Sequence, residues 1–260
     1  MRNVYFELTK EFNAKGRIAV LASGQAVVYH RIAIMSKDGD WIIREDAQTC
    51  RHVLDVLAAH GARYRMSAPL EPRWLAGGWS SHFEFLDEEG RRIRCDFVSR
   101  PPRLTQRETE ALFTADADPL DPRLAVIGLL PLIRIKQTQR AKDYAVIGEL
   151  ARRLPPEAEA ELTTDPDRIL ALAGRFPSTR PALRAASSGA GRLAVVTELA
   201  REIDGLQLRD RDRIERYEAA AEAYFAAIRR ERVLDRPLAE AHESLVTLAG
   251  RLLPEDPRDA

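Results

Sequence analysis

The chain has 260 residues, 45% of them hydrophobic, which is enough for one large domain or two modest ones around a sizeable core. Its 40 Lys and Arg balance 40 Asp and Glu, so no overall field draws it non-specifically onto nucleic acid or anionic lipid. The only two cysteines, Cys50 and Cys95, belong to no CxxC or Cys/His cluster, which argues against a disulfide framework or a structural zinc site and for buried thiols. Scattered charges at the N-terminus and the lack of any apolar run of about eighteen residues point to a cytoplasmic protein with no membrane span.

In chain order, residues 4–15 carry helical spacing that stops at Gly16, and "RIAVLAS" has strand length. "GQAVVYHR" reads as a short helix opening at a Ser23-Gly24 turn, and "DGDWII" as the next strand. Asp46 is placed to cap a helix over "AQTCRHVLDVLAAH", and Gly61 to close it. "ARYRMS" follows as strand. Beyond the loop "EPRWLAGGWS", two alternating runs, "HFEFL" and "RRIRCDFVS", form a hairpin whose turn carries Gly90. From residue 105 onward nothing reads as strand. About five amphipathic helical segments follow residue 155, divided by Pro155-Pro156, Pro177, "SSGAG", Gly205 and Pro237, and "PEDPRDA" reads as a frayed tail. The pattern is α/β (α+β), a mixed sheet with flanking helices over 1–150, followed by an all-helical region over 151–260.

Two groups of residues carry chemistry. In a strand, Asp38 and Asp40 project from one face, and two adjacent carboxylates repel unless a cation lies between them. Hard carboxylate oxygens suit Mg²⁺, and Asp96, in an otherwise apolar strand, offers a third. The competing reading of "KDGD" is a polar turn with Gly39 at positive φ, and that of Asp96 is a hairpin ion pair with Arg94. The second group is Lys136, Arg140 and Asp143, spaced i, i+4, i+7 on the apolar stripe of a helix that also bears Leu129, Leu132, Ile147 and Leu150. Charges there form either an internal ion pair, Arg140 with Asp143, or the lining of an anion-binding cleft. Only five basic residues are lysine (Lys10, Lys15, Lys37, Lys136 and Lys142), which adds weight to Lys136 as a compact cation.

Together these residues resemble the nucleotidyltransferase superfamily, whose fold is shared with DNA polymerase β, and in particular its small bacterial branch that includes the AbiEii-type toxins. The Gly-Gly or Gly-Ser turn of that family matches "SGQA", its Thr-x-Asp-x-Asp strand start matches "SKDGD", its third aspartate matches Asp96, and its Lys…Arg-x-Lys-Asp helix matches Lys136, Arg140, Lys142 and Asp143. The match spans residues 17–150. Ser23 replaces the first glycine, Gly39 replaces a bulkier residue, and Val146 stands where another Asp is frequent.

The resemblance implies a Mg²⁺-dependent nucleotidyltransferase that moves a nucleotide monophosphate from ATP or another NTP to an acceptor: tRNA, protein or a small molecule. Asp38, Asp40 and Asp96 would be the catalytic residues and would hold two Mg²⁺ ions. Ser23, Gly24, Lys136 and Arg140 would bind the nucleotide phosphates. It also implies a toxin–antitoxin setting, with a homo-oligomer or an antitoxin held through the C-terminal helices. The competing class is a non-catalytic partner-binding module on the same fold. The five histidines show no metal spacing, GxGxxG and P-loop patterns are absent, and Trp74, Trp79 and Phe83 read either as a base-stacking wall or as loop packing. The Arg clusters of the C-terminal half are interleaved with acids and read as solvated helix faces rather than a nucleic-acid module.

Overall fold

The computed structural model describes residues 3–115 and 121–257. In order the elements are α1 (Val4–Phe12), β1 (Ala19–Ala22), α2 (Ser23–Tyr29), β2 (Asp38–Ile43), α3 (Ala47–Ala59), β3 (Arg63–Tyr64), α4 (Pro72–Leu75), β4 (Ser81–Leu86) and β5 (Arg92–Val98). The helices α5 (Gln106–Leu112), α6 (Leu129–Ile135), α7 (Ala141–Ala151), α8 (Pro156–Leu162), α9 (Pro166–Leu172), α10 (Pro181–Ser187), α11 (Arg192–Arg230) and α12 (Leu238–Leu252) follow. The expected mixed sheet with flanking helices and a helical remainder is present. No helix among the described residues is long and apolar enough to cross a membrane.

Two compact units arise from packing: residues up to Ile127 together with Arg216 onward, and Gly128–Glu215. The expected boundary near residue 150 lies at the end of α7, inside the second unit.

In the first unit the strand order is β1-β2-β5-β4-β3, with β2 and β5 parallel and the other pairs antiparallel. Alternation sorts the side chains. Gly39, Trp41, Cys95, Phe97, Phe83 and Phe85 turn to the core, whereas Asp38, Asp40, Arg94, Asp96, His82 and Glu84 remain partly exposed on the other face. Trp41 stacks on Phe97 with ring centroids 5.4 Å apart, and Phe12 meets both rings edge-on. Trp41 satisfies its indole N–H on Thr9 Oγ1 at 2.9 Å. Tyr224, Leu245 and Leu248 of the C-terminal segment belong to the same buried cluster. Trp74, Trp79 and Phe83 are also buried in it, so packing rather than base stacking occupies them. Both cysteines are buried thiols, with burial pushing Cys50 up to about 12.

Gly39 lies inside β2 rather than in a turn. A Cβ there would stand 2.4 Å from Trp41 and 2.5 Å from Tyr5, so glycine lets both rings close over the strand. Gly39→Ala is expected to destabilise the fold by about 1–3 kcal/mol through overpacking, seen as a lower denaturant midpoint with unchanged slope.

Other departures have local causes. Helix α1 stops at Phe12, short of Gly16, because the Asn13 side chain turns back to accept from the Ile18 and Ala19 N–H groups and donate to the Ala19 carbonyl. The stretch around Lys136 is two helices, not one: the Gln139 N–H donates to Asp210 at 2.9 Å instead of to a helical carbonyl, and Tyr144 donates to the Thr138 carbonyl at 2.9 Å. Pro131 sits in the first turn of α6, where no N–H is needed. Gly205 does not divide α11, since its cost of about 1 kcal/mol is small for a 39-residue helix. The tail begins packed: Trp79 Nε1 donates to the Pro254 carbonyl at 2.9 Å, while residues 258–260 lie outside the described residues.

Candidate active site

The open face of the sheet carries the predicted carboxylates. Strand period puts Asp38 and Asp40 on it together, and parallel pairing sets Asp40 opposite Asp96 and Asp38 opposite Arg94. Antiparallel pairing then sets His82 opposite Asp96, and the Arg65 N–H donates to the His82 carbonyl. One row across the sheet therefore reads Asp40, Asp96, His82, Arg65. Ala22 faces Asp40 on the far side, which brings Ser23 and Gly24 next to the same end of β2.

Ser23 holds φ at +48°, a left-handed conformation that costs a non-glycine residue about 1–3 kcal/mol and that concentrates at functional turns. Gly24 lies close against Ser36, whose Oγ would stand 2.2 Å from a Cβ there and would have to turn aside. Asp38 is reached by Arg94 Nη1 at 3.5 Å, yet its Oδ1 is buried and accepts no hydrogen bond. Asp96 is not paired with Arg94. Its Oδ1 accepts from Arg65 Nη1 at 3.3 Å and faces His82 Nδ1 at 3.6 Å. Arg65 did not figure in the sequence reading and His82 only as a histidine without metal spacing, because only strand register brings them to Asp96.

Electrostatics follow from this crowding. Burial, reinforced by Asp38, outweighs Arg65 and Arg94 and lifts the Asp96 carboxyl to about 6. Burial, with Arg65 adding to it, lowers His82 to about 4, so the imidazole is neutral at pH 7. A raised carboxyl favours the folded state only while protonated. Stability from Asp96 is therefore fully present below pH 4, declines between pH 4 and 6, and is lost above pH 6. Asp96→Asn is expected to raise stability at pH 8 by on the order of 1–3 kcal/mol and to change it little at pH 4, which paired thermal melts would register.

The donor set is hard oxygen, and Asp38 contributes an unsatisfied buried atom, which fits Mg²⁺ held by one or two carboxylates with water and substrate phosphates. Among the described residues no group of three or more His, Cys, Asp or Glu converges to hold an ion by itself.

Lys136 and Arg140 belong to the second unit, where both meet Asp143. Lys136 Nζ lies 3.3 Å from Oδ1, Arg140 Nε 2.8 Å from Oδ2, and Thr138 donates to Oδ2 at 2.8 Å. The expectation of one helical face is corrected: Lys136 ends α6, Arg140 precedes α7, and their common partner Asp143 joins the two helices. Lys136 and Asp143 are buried, while Arg140 is half exposed. Burial opposes ionisation of Asp143, but Lys136, Thr138 and Arg140 outweigh it and hold the carboxyl below its usual range.

No family model matches this chain. No curated protein matches it either. Among solved structures it is similar to JHP933 from Helicobacter pylori, at 10% identity and a TM-score of 0.41, over 83% of this chain and 94% of that one. It is similar also to an H. pylori protein described as a "putative nucleotidyltransferase", at 11% identity and a TM-score of 0.41, over 80% of this chain and 94% of that one.

Proposed function

We propose that the chain is a Mg²⁺-dependent nucleotidyltransferase moving a nucleotide monophosphate from an NTP to an acceptor hydroxyl. The observation that carries this reading is the open face on which Asp38, Asp40 and Asp96 stand together, with Asp38 Oδ1 buried, accepting no hydrogen bond and 3.5 Å from Arg94 Nη1. Asp38 and Asp40 would hold the metal ions, and Asp96 would be the third carboxylate on the same face. Bound Mg²⁺ supplies charge stabilisation for an in-line displacement. The chain itself orients the triphosphate: Ser23 and Gly24 line the turn beside Asp40, and Arg94 adds a guanidinium next to Asp38. Lys136 and Arg140, expected to bind the phosphates, are both engaged by Asp143 within the second unit. The acceptor belongs to the same chemical class as an RNA end, a protein side chain or a small alcohol, and a toxin–antitoxin setting accommodates each.

A thermal-shift screen of the four NTPs with and without Mg²⁺ tests it. A nucleotide at about a hundred times its dissociation constant adds roughly 2.7 kcal/mol of stability. Stabilisation that needs both nucleotide and metal, with release of pyrophosphate, supports the reading; no response to any of the four removes it.

The engagement of Asp96 by Arg65 favours a second reading, a partner-binding module that has lost turnover. It is distinguished by nucleotide binding without pyrophosphate release.

A further inference from the structure

Ser80 and His82, absent from the reading above, lie on the same face as the carboxylates. His82 pairs with Asp96 across β4 and β5, and Ser80, just ahead of β4, brings its hydroxyl to the same imidazole. Ser80 Oγ lies 2.6 Å from His82 Nε2, and the other ring nitrogen, Nδ1, faces Asp96 Oδ1 at 3.6 Å. With the Ser80 hydroxyl donating to Nε2, Nδ1 carries the ring hydrogen; Asp96 Oδ1, at 3.6 Å, lies beyond hydrogen-bond distance and accepts from Arg65 instead. A hydroxyl within hydrogen-bond reach of an imidazole has a base at hand to take its proton as it attacks.

The segment leading to Ser80 is held rigidly. A Cβ on Gly77 would stand 1.7 Å from the Glu255 carbonyl oxygen, and one on Gly78, at φ +85°, would stand 2.4 Å from the Tyr217 hydroxyl. Tyr217 in turn donates to the Gly77 carbonyl at 2.7 Å, and Trp79 to that of Pro254 at 2.9 Å. These contacts leave Ser80 partly exposed at a fixed position, as a reacting group requires. Among the described residues the nearby Gly77, Gly78 and Trp79 N–H groups are all bonded within the turn, so these three form no oxyanion hole beside Ser80. A metal-bound phosphoanhydride would bring its own charge stabilisation.

We propose that Ser80 is a nucleophilic hydroxyl that takes the nucleotidyl group onto the chain itself, making it a site of self-modification beside the carboxylates. This rests on the transferase reading. The Oγ–phosphorus bond forms at the α-phosphorus of the NTP, and the bond from that phosphorus to the bridging oxygen of the β-phosphate breaks. Pyrophosphate leaves with the electron pair, and the hydroxyl proton passes to His82 Nε2.

The test is intact and tandem mass spectrometry of the full chain after incubation with Mg²⁺ and each of ATP, GTP, CTP and UTP, alongside thermal shifts in the same buffers. The expected result is one added nucleotide monophosphate, located at Ser80. Ser80→Ala should abolish it while keeping the nucleotide-dependent thermal shift, Ser80→Thr should retain it, and His82→Gln should slow its appearance about a hundredfold or more. A wild-type chain that nucleotide stabilises but that gains no mass, or gains it at another residue, overturns the inference and leaves the transferase reading standing. A chain that no nucleotide stabilises and that gains no mass removes both.

Discussion

If the chain is the transferase proposed above, Asp38→Asn is expected to lower nucleotidyl transfer by about a thousandfold while leaving the urea midpoint nearly unchanged. Two magnitudes decide this. The Arg94–Asp38 pair spans 3.5 Å with both side chains more than a third exposed, and exposed pairs of that kind contribute about 0–1 kcal/mol. Removing the charge therefore costs the fold little, and the amide keeps the carboxylate's shape. On the transferase reading the same charge would face a phosphoanhydride through a metal and would be worth several kcal/mol in the transition state, because it would act where charge develops. Asp40→Asn should behave alike. Pyrophosphate release and denaturant melts on the same preparations check both; parallel loss of activity and stability would assign the aspartates to the scaffold instead.

The largest stability effect is expected at Asp143. Its carboxylate is buried and shared by Lys136, Arg140 and Thr138, so Asp143→Ala strands the Lys136 ammonium in the interior and should cost about 3–5 kcal/mol. Lys136→Met is expected to cost much less, because Arg140 and Thr138 still satisfy Asp143 and the apolar stem is replaced in kind. That asymmetry identifies the aspartate as the hub. It also sets a pH limb. The Asp143 carboxyl is depressed, so the stability it contributes is present above the usual carboxylate range and is lost as pH falls through its lowered folded value. Wild type should therefore weaken progressively below about pH 4 relative to Asp143→Asn, as acid titrations of the melting temperature would record.

Much of this was legible in sequence where local rules govern. Asp46 caps α3 through the Thr49 N–H as its position implied, Gly61 and Gly90 adopt positive φ, and alternation in "RRIRCDFVS" separated core from open face. Period two alone placed Asp38 beside Asp40. What required coordinates is register. Parallel pairing of β2 with β5 joins residues more than fifty positions apart, and nothing local in "HFEFL" reveals that His82 meets Asp96 or that Arg65 reaches over to it. The break before α7 was hidden for the same reason, since the carboxylate that receives the Gln139 N–H lies 71 residues downstream. Gly205 misled in the opposite sense: a local penalty proved too small to interrupt a long cooperative helix.

The contribution of residues 216–260 to the core of the first unit has a consequence for biosynthesis. Translation delivers all five strands well before Tyr224, Leu245 and Leu248, so the nascent sheet emerges from the ribosome with part of its apolar side uncovered. Such distant pairings form slowly, and the exposed surface is a natural client for holding chaperones until synthesis ends. A chain cut before Tyr224 should accordingly be insoluble or rapidly degraded.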